Sequence, residues 1–479
     1  MRSASESPPN RPSPAAEAGP KDVTAVAPLG NAAAALAETE VAALLAPLAA
    51  SPVIALAVSG GSDSLALLTA VDRWRKVGKR PRIIVLTVDH GLSPGSDAVA
   101  ASVAAVAAAR GLEARTLTWP GPKPKGDIEA AARQARYRLL VATAREAGAS
   151  HLLTAHSMDD QAETFLMRLE RGSGVFGLAA MRRDIDLDGL VLFRPFLGVS
   201  RTRLAATTAA AGLSAHEDPM NVDPRFLRVR MRRLLPALAA AGIDATALAE
   251  TAARLARVAD AVDAAVDRLV AASVTVDAFA VARIRGDSFA AAPEEVRFRL
   301  IVRLLLAIGG DDYPPRYERL QALLAALLKD PSTAMKRTLA GVVVERRPRG
   351  ILLYREAGRD GLPVLPAPPG FVGLWDRRFR VEVAADIPRG LVVAALGTAR
   401  PDGLVRAAGV PAGAMAALPA FFAGDRIVAV PSLRWSDPSL PQGGVGITET
   451  VTRQLAAPPR FPQLAESWSN PIHSAVISA

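Results

Sequence analysis

Residues Ser59 to Ser64 read Ser-Gly-Gly-Ser-Asp-Ser, directly after the apolar run Val53–Val58 and just before the apolar-periodic segment Leu65, Leu67, Leu68, Val71. A chain patterned this way has few options. A buried strand ends, two glycines turn the backbone, and a helix begins. Strand–turn–helix geometry leaves unpaired backbone N–H groups facing outward at the helix N-terminus, an anion site suited to phosphate or pyrophosphate. Gly60 and Gly61 let the backbone approach the anion with no Cβ in the way. Ser59, Ser62 and Ser64 offer hydroxyl donors. Asp63 would repel a bare pyrophosphate, so it points to a bridging divalent cation, Mg²⁺. The plain alternative is a Gly-Gly turn with a serine cap.

The same alternation continues downstream. Strands are expected at Val53–Val58, Arg82–Val88, Glu113–Thr118 and His151–Ala155, and helices at Ser62–Lys76, Ser96–Arg110, Ile128–Ala147 and Asp159–Glu170. Arg82–Val88 is nearly all apolar, as a strand covered on both faces requires. The pattern predicts an α/β fold with a doubly wound, mostly parallel sheet. Ligands in such sheets bind beyond the carboxyl ends of the strands. Ser59–Ser64, Asp89–His90 and His156 stand there and should converge on one crevice.

Five segments are expected: a disordered extension over 1–33, a nucleotide-binding catalytic domain over 34–240, a helical region over 241–332, a small mixed α/β domain over 333–452, and a flexible tail over 453–479. Thr338–Glu345 and Gly350–Arg355 read as a β-hairpin; Arg378–Val383 and Leu391–Ala395 read as strands. No signal peptide is evident, and the apolar stretch Val41–Val58 is interrupted by Pro47 and Pro52, so a soluble cytoplasmic protein with no membrane association is expected.

The chain has no cysteine. That removes disulfides, thiolate zinc sites and cysteine nucleophiles from consideration. Its net charge of +10 suits a polyanionic partner, nucleic acid first; alanine- and arginine-rich background usage is the bland reading.

Three further clusters carry chemistry. His156 ends a strand, and Asp160 and Glu163 stand three apart near the start of the next helix, sharing a face. They could hold a cation or accept a proton; helix capping is the alternative and accounts well for Asp159. Glu129, Arg133, Arg136 and Tyr137 share a helix, where Arg136 is a candidate phosphate ligand. Asn221–Arg233 is the densest basic run, with Arg225, Arg228, Arg230, Arg232 and Arg233 interleaved with apolar residues. Arginine suits phosphate and base contact, though charge runs are often solvated faces. Gly172–Gly177 fits G-x-G-x-x-G but follows a helix, so it lacks the context of a dinucleotide site.

No Lys-Ser or Lys-Thr follows the first glycines, so this is not a Walker A loop. Ser59–Ser64 instead resembles the PP-loop of the ATP pyrophosphatase superfamily, which implies cleavage of ATP between its α and β phosphates. The absence of cysteine sets the chain apart from RNA-thiolating and glutamine-dependent relatives. Taken with Val88–Leu92, Glu129-x-x-x-Arg133-x-x-Arg136-Tyr137, Thr154–Thr164, Arg171–Gly174 with Gly177-Leu178, Arg194-Pro195 and Asp218–Arg232, the chain resembles the tRNA(Ile)-lysidine synthetases. The match covers roughly residues 50–236. Thr338-Leu339, Arg355-Glu356, Trp375-Asp376, Leu418-Pro419 and Val430-Pro431 are looser likenesses, and Val229 departs from the asparagine often found there.

The resemblance implies the following expectations. ATP adenylates the C2 oxygen of the wobble cytidine of an isoleucine tRNA with a CAU anticodon. Free L-lysine then displaces AMP, giving lysidine and shifting reading from AUG to AUA. Ser59, Gly60, Gly61, Ser62, Asp63, Ser64, Asp89 and His90 bind ATP, with Mg²⁺ on Asp63. Arg136, His156, Asp160, Glu163 and Arg228 line the reaction site. Asp160 and Glu163 are candidates for holding the lysine ammonium, and Arg225, Arg228, Arg230, Arg232 and Arg233 for contacting tRNA. No obligate protein partner is evident. The runner-up is an ammonia-using PP-loop ligase of the NAD or nucleobase synthetase type. A non-catalytic RNA-binding module is disfavoured by the presence of Asp63, Asp160 and Glu163.

Overall fold

Val53–Ala57 (β1) and Arg82–Asp89 (β2) bury both faces of their central residues, because helices cover the sheet on each side. The computed structural model describes residues 34–456 apart from 79, 93–94, 122, 124–127, 188, 217–222, 311–313, 330–332, 359–360, 388–389, 442 and the side chains of 129 and 130. The expectations for 1–33 and 457–479, for the Glu129 side chain and for Asp218–Asn221 lie outside the described residues.

With Glu113–Thr118 (β3), His151–Leu153 (β4), Asp184–Leu187 (β5) and Leu190–Phe193 (β6), these strands make a six-stranded sheet of order β3-β2-β1-β4-β6-β5. All its pairings are parallel except the β5–β6 hairpin. The helices of this half are Glu38–Leu45 (α1), Ser62–Arg75 (α2), Ser96–Ala108 (α3), Ile128–Glu146 (α4), Met158–Glu170 (α5), Val175–Leu178 (α6), Arg201–Ala210 (α7), Leu227–Ala240 (α8) and Ala245–Ser273 (α9). The period of two along β1 divides the core. Ile54 and Leu56 pack with Leu45, Leu67, Val71, Val103 and Leu204 on one face. Ala55 packs with Tyr137, Leu140 and Val141 of α4 on the other. Strand order reverses at β1, and in sheets of this kind the ligand crevice lies at that switch, here beyond the carboxyl ends of β1 and β4.

Beyond the sheet, Phe165 and Leu166 of α5 pack on Leu248 and Ala252 of α9, with Met231 and Leu235 of α8 alongside. This apolar seam holds the basic helix α8 against the acidic start of α5.

The helical reading of 241–332 requires correction at 274–285. Val274–Val276 and Ala282–Arg285 are short strands that join Met335–Leu339, Val342–Arg347 and Gly350–Arg355 in one five-stranded sheet. The expected strand Thr338–Glu345 is also two strands. Ala340 (φ 50°) and Gly341 (φ 67°) turn the chain left-handed between them, as a tight hairpin turn demands. A second five-stranded sheet and a three-stranded sheet complete the C-terminal part. Arg355 and Trp375-Asp376, loose likenesses in sequence, meet there: Arg355 Nε lies 3.2 Å and Arg378 Nε 2.7 Å from Asp376 Oδ2. Residues 453–456 of the expected tail continue the helix Val451–Ala456.

Candidate active site

The phosphate loop is shaped by its own side chains. Ser59 N donates to Ser64 Oγ (3.2 Å), and that hydroxyl donates to Gly61 O (2.8 Å). Ser64 is buried and its hydroxyl is spent on the loop, whereas Ser59 is exposed and Ser62 half-buried at the start of α2. Gly60 has φ +85°, and a Cβ there would stand 2.6 Å from Val99 Cγ1. Only glycine meets both demands. Asp63 lies in the first turn of α2, and its Oδ1 is buried without a hydrogen-bond partner. Burial pushes its carboxyl up to about 6; Arg201 opposes the rise, and Asp160 and Asp159 add to it.

The second acidic pair comes from α5. Ser157 caps this helix in a capping box: Asp160 N donates to Ser157 Oγ (3.3 Å), and Ser157 N donates to Asp160 Oδ2 (2.9 Å). Capping therefore claims one oxygen of Asp160, not Asp159 as the sequence suggests. Asp159 Oδ2 instead accepts from Arg201 N (2.7 Å). Glu163, one turn on, has a side chain with no exposed surface. Burial works to raise Asp160, but the guanidiniums of Arg201 and Arg228 and the Ser157 amide hold the carboxyl below its ordinary value.

Arg201, at the start of α7, joins these acids. Its Nη2 donates to Asp160 Oδ1 (3.0 Å), its Nη1 to Glu163 Oε1 (3.1 Å), and its Nε lies 3.5 Å from Asp63 Oδ2. Burial disfavours its charge, yet Asp160, Glu163, Asp159 and Asp63 outweigh that and raise its pKa. Arg201 was not among the residues singled out in the sequence. Its only signal is position: it follows β6, the next strand whose carboxyl end faces the crevice.

The basic run divides. Arg232 Nε donates to Glu163 Oε1 (2.7 Å) and Arg228 Nε lies 3.6 Å from Oε2, so both face the site. Arg225 pairs with Asp223 (2.7 Å) in an exposed loop, and the exposed Arg230 donates to Arg225 O (3.1 Å). Arg233 is exposed. Val229 is buried.

His156 is half-buried and its Nδ1 shares a 3.0 Å hydrogen bond with Thr154 Oγ1. Burial first, then Arg194, Arg133 and Arg228, press its pKa well below the ordinary value despite Asp160, so the imidazole is neutral. Arg136 is exposed on α4, with its guanidinium 6.0 Å from the Tyr137 ring centroid; Arg133 lies 5.0 Å from the same ring. Asp89 and His90 stand at the end of β2, beside the phosphate loop in the sheet order. Asp89 Oδ1 accepts from Gly91 N (3.0 Å) and Ser96 Oγ (2.5 Å), which fixes the β2–α3 loop.

The PP-loop domain family matches residues 34–238. The tRNA(Ile)-lysidine synthase of Rhodopseudomonas palustris is 45% identical over 345 residues, covering 70% of this chain and 96% of that protein. The enzyme of the same name from Bradyrhizobium diazoefficiens is 44% identical, covering 63% and 89%. That of Ruegeria pomeroyi is 38% identical, covering 79% and 88%. The chain belongs to the tRNA(Ile)-lysidine synthase family. It is thus a ligase that modifies tRNA, and its PP-loop domain uses ATP. Beside the Ser59–Ser62 turn, the carboxylates of Asp63, Asp160 and Glu163 meet the guanidiniums of Arg201, Arg228 and Arg232. Among the described residues no group of three or more His, Asp or Glu side chains is arranged to hold a metal alone. Among them, too, no single helix is long and apolar enough to cross a membrane.

Proposed function

We propose that the crevice joins free L-lysine to C2 of the wobble cytidine of tRNA(Ile) bearing a CAU anticodon, in two steps. The cytidine O2 attacks the α-phosphorus of ATP, and diphosphate leaves. The lysine Nε then attacks C2, the C2–O bond breaks, and AMP leaves with that oxygen. The first step gives a poor electrophile a leaving group.

The residues support a division of labour. Backbone N–H groups of the phosphate loop offset the charge of the departing diphosphate. The unpartnered, buried Asp63 Oδ1 fits a divalent cation, since Mg²⁺ is commonly held by one or two carboxylates plus phosphate oxygens. Bound there, Mg²⁺ supplies charge neutralisation at the phosphates. Asp160 and Glu163 hold the lysine ammonium. Both are paired with arginines before lysine binds, and one of them takes the proton that the ammonium must shed before Nε can attack C2. The neutral His156 offers a hydrogen bond without adding charge. Arg136 and Arg228 bear on the α-phosphate or the tRNA backbone, and Arg225, Arg230 and Arg233 on the tRNA, while Arg232 is spent on Glu163.

The observation that carries this reading is the meeting of Asp63, Asp160 and Glu163 around one guanidinium beside the phosphate loop. The test is Asp63→Ala, Glu163→Ala and Arg228→Ala assayed for lysine incorporation into tRNA. Losses of at least about 100-fold are expected for the first two; near-normal rates in all three defeat the assignment.

A further inference from the structure

Arg201 has no part in the two steps above, yet among the described residues it is the group that touches Asp63, Asp160 and Glu163 together. All four oxygens of the α5 pair are engaged. Asp160 Oδ2 takes the Ser157 amide and hydroxyl, at 2.9 and 3.0 Å, and Oδ1 takes Arg201. Glu163 Oε1 is shared by Arg201 and Arg232, and Oε2 lies 3.4 Å from Arg232 Nη2 and 3.6 Å from Arg228 Nε. Three carboxylates thus face three guanidiniums before any ligand arrives. An ammonium arriving between Asp160 and Glu163 finds each of their oxygens already facing a donor and must replace one.

Arg201 is the donor placed to leave. It contributes a single bond to each acid of the pair, and its Nε already reaches to the phosphate-loop side, 3.5 Å from Asp63. Its side chain is 29% exposed, so the guanidinium borders the crevice. A triphosphate on the loop brings several negative charges to that side, and guanidinium pairs with phosphate as readily as with carboxylate.

We propose that Arg201 is a positioning residue that stands in for the substrate ammonium: its guanidinium fills the space between Asp160 and Glu163 in the nucleotide-free enzyme and turns to the triphosphate when ATP binds. The free amino acid then meets vacated carboxylates only after the nucleotide is seated. This rests on Asp160 and Glu163 being the ammonium site.

The test is calorimetric titration of lysine into the full chain, with and without Mg²⁺ and an α,β-methylene analogue of ATP. In the unmodified enzyme the analogue should tighten lysine binding about 10-fold or more, within the usual range of site-to-site coupling. Arg201→Gln should bind lysine without nucleotide about as tightly as the unmodified enzyme does with it, reducing the coupling to within about 2-fold. Arg201→Lys, which keeps the charge, should restore part of the coupling; it also serves should the glutamine variant fail to fold. Lysine affinity indifferent to the analogue in the unmodified enzyme overturns the proposal. So does an Arg201→Gln chain that weakens lysine equally with and without nucleotide. Asp160→Asn and Glu163→Gln separate the two levels. If both bind lysine normally, the ammonium site itself is misplaced; if both lose it while Arg201→Gln keeps full coupling, only the exchange is wrong.

Discussion

Arg232 Nε lies 2.7 Å from Glu163 Oε1, and the carboxylate it meets is wholly buried. This contact ties the basic helix α8 to the acidic turn of α5, so one arginine of an apparent nucleic-acid run is a structural counter-ion of the site.

Glu163→Gln leaves Arg228 and Arg232 facing an uncharged amide, while Arg201 keeps Asp160 and Asp63. Removing one partner of a buried ion pair costs about 3–5 kcal/mol. The variant should lose about that much stability in urea unfolding, whereas Arg228→Ala, at the longer 3.6 Å separation, should lose clearly less.

The surface arginines should behave differently. Arg230→Ala with Arg233→Ala removes exposed charges from α8. Stability should stay within about 0.5 kcal/mol. Binding of tRNA should weaken, and the slope of log affinity against log salt should become shallower by about 1 for each phosphate that these side chains neutralise. Filter binding across a salt series measures this. An unchanged slope places the tRNA elsewhere.

Gly60→Ala forces a left-handed alanine and an approach of 2.6 Å to Val99 Cγ1. A cost of about 1–3 kcal/mol is expected, with a raised KM for ATP because the loop can no longer hold its curve. Gly61→Ala is the control: its φ is −73°, and an added Cβ would stand 3.8 Å from Ser59 Oγ.

Asp63 makes stability depend on pH. Its native carboxyl, near 6, sits above the ordinary 3.8, so between those values the native state binds more protons than the unfolded one. Stability from this group is full below about 4 and declines as pH rises to about 6. Asp63→Asn should remove that decline, worth up to about 3 kcal/mol, leaving the variant relatively more stable above pH 6. Urea midpoints of both proteins from pH 4 to 7.5 check the sign.

Much of this was legible in the sequence because local pattern carried it. The strand at Glu113–Thr118 falls where alternation places it, and β1 with α2 follows from apolar runs bracketing two glycines. Asp160 and Glu163 share a face because they are three apart on one helix. Arg201 was not legible, since nothing in Ser200-Arg201-Thr202 distinguishes it from a helix-start cation; its partners lie 38 to 138 residues away and only the parallel sheet brings them together. Arg232 misled for the opposite reason: composition marks a basic run, but only packing decides which of its faces turns inward. The strand Thr338–Glu345 hid its turn because Ala340 carries no turn signature.

The proposed reaction couples cleavage of ATP to AMP and diphosphate with attachment of one free lysine to a single tRNA species. The most direct measurement is incubation with ATP, labelled lysine and mixed tRNA, following AMP and label together. One lysine should enter a single tRNA species for each AMP and diphosphate released. AMP release that proceeds with ammonia and without tRNA, or label spread across tRNA species, would contradict it.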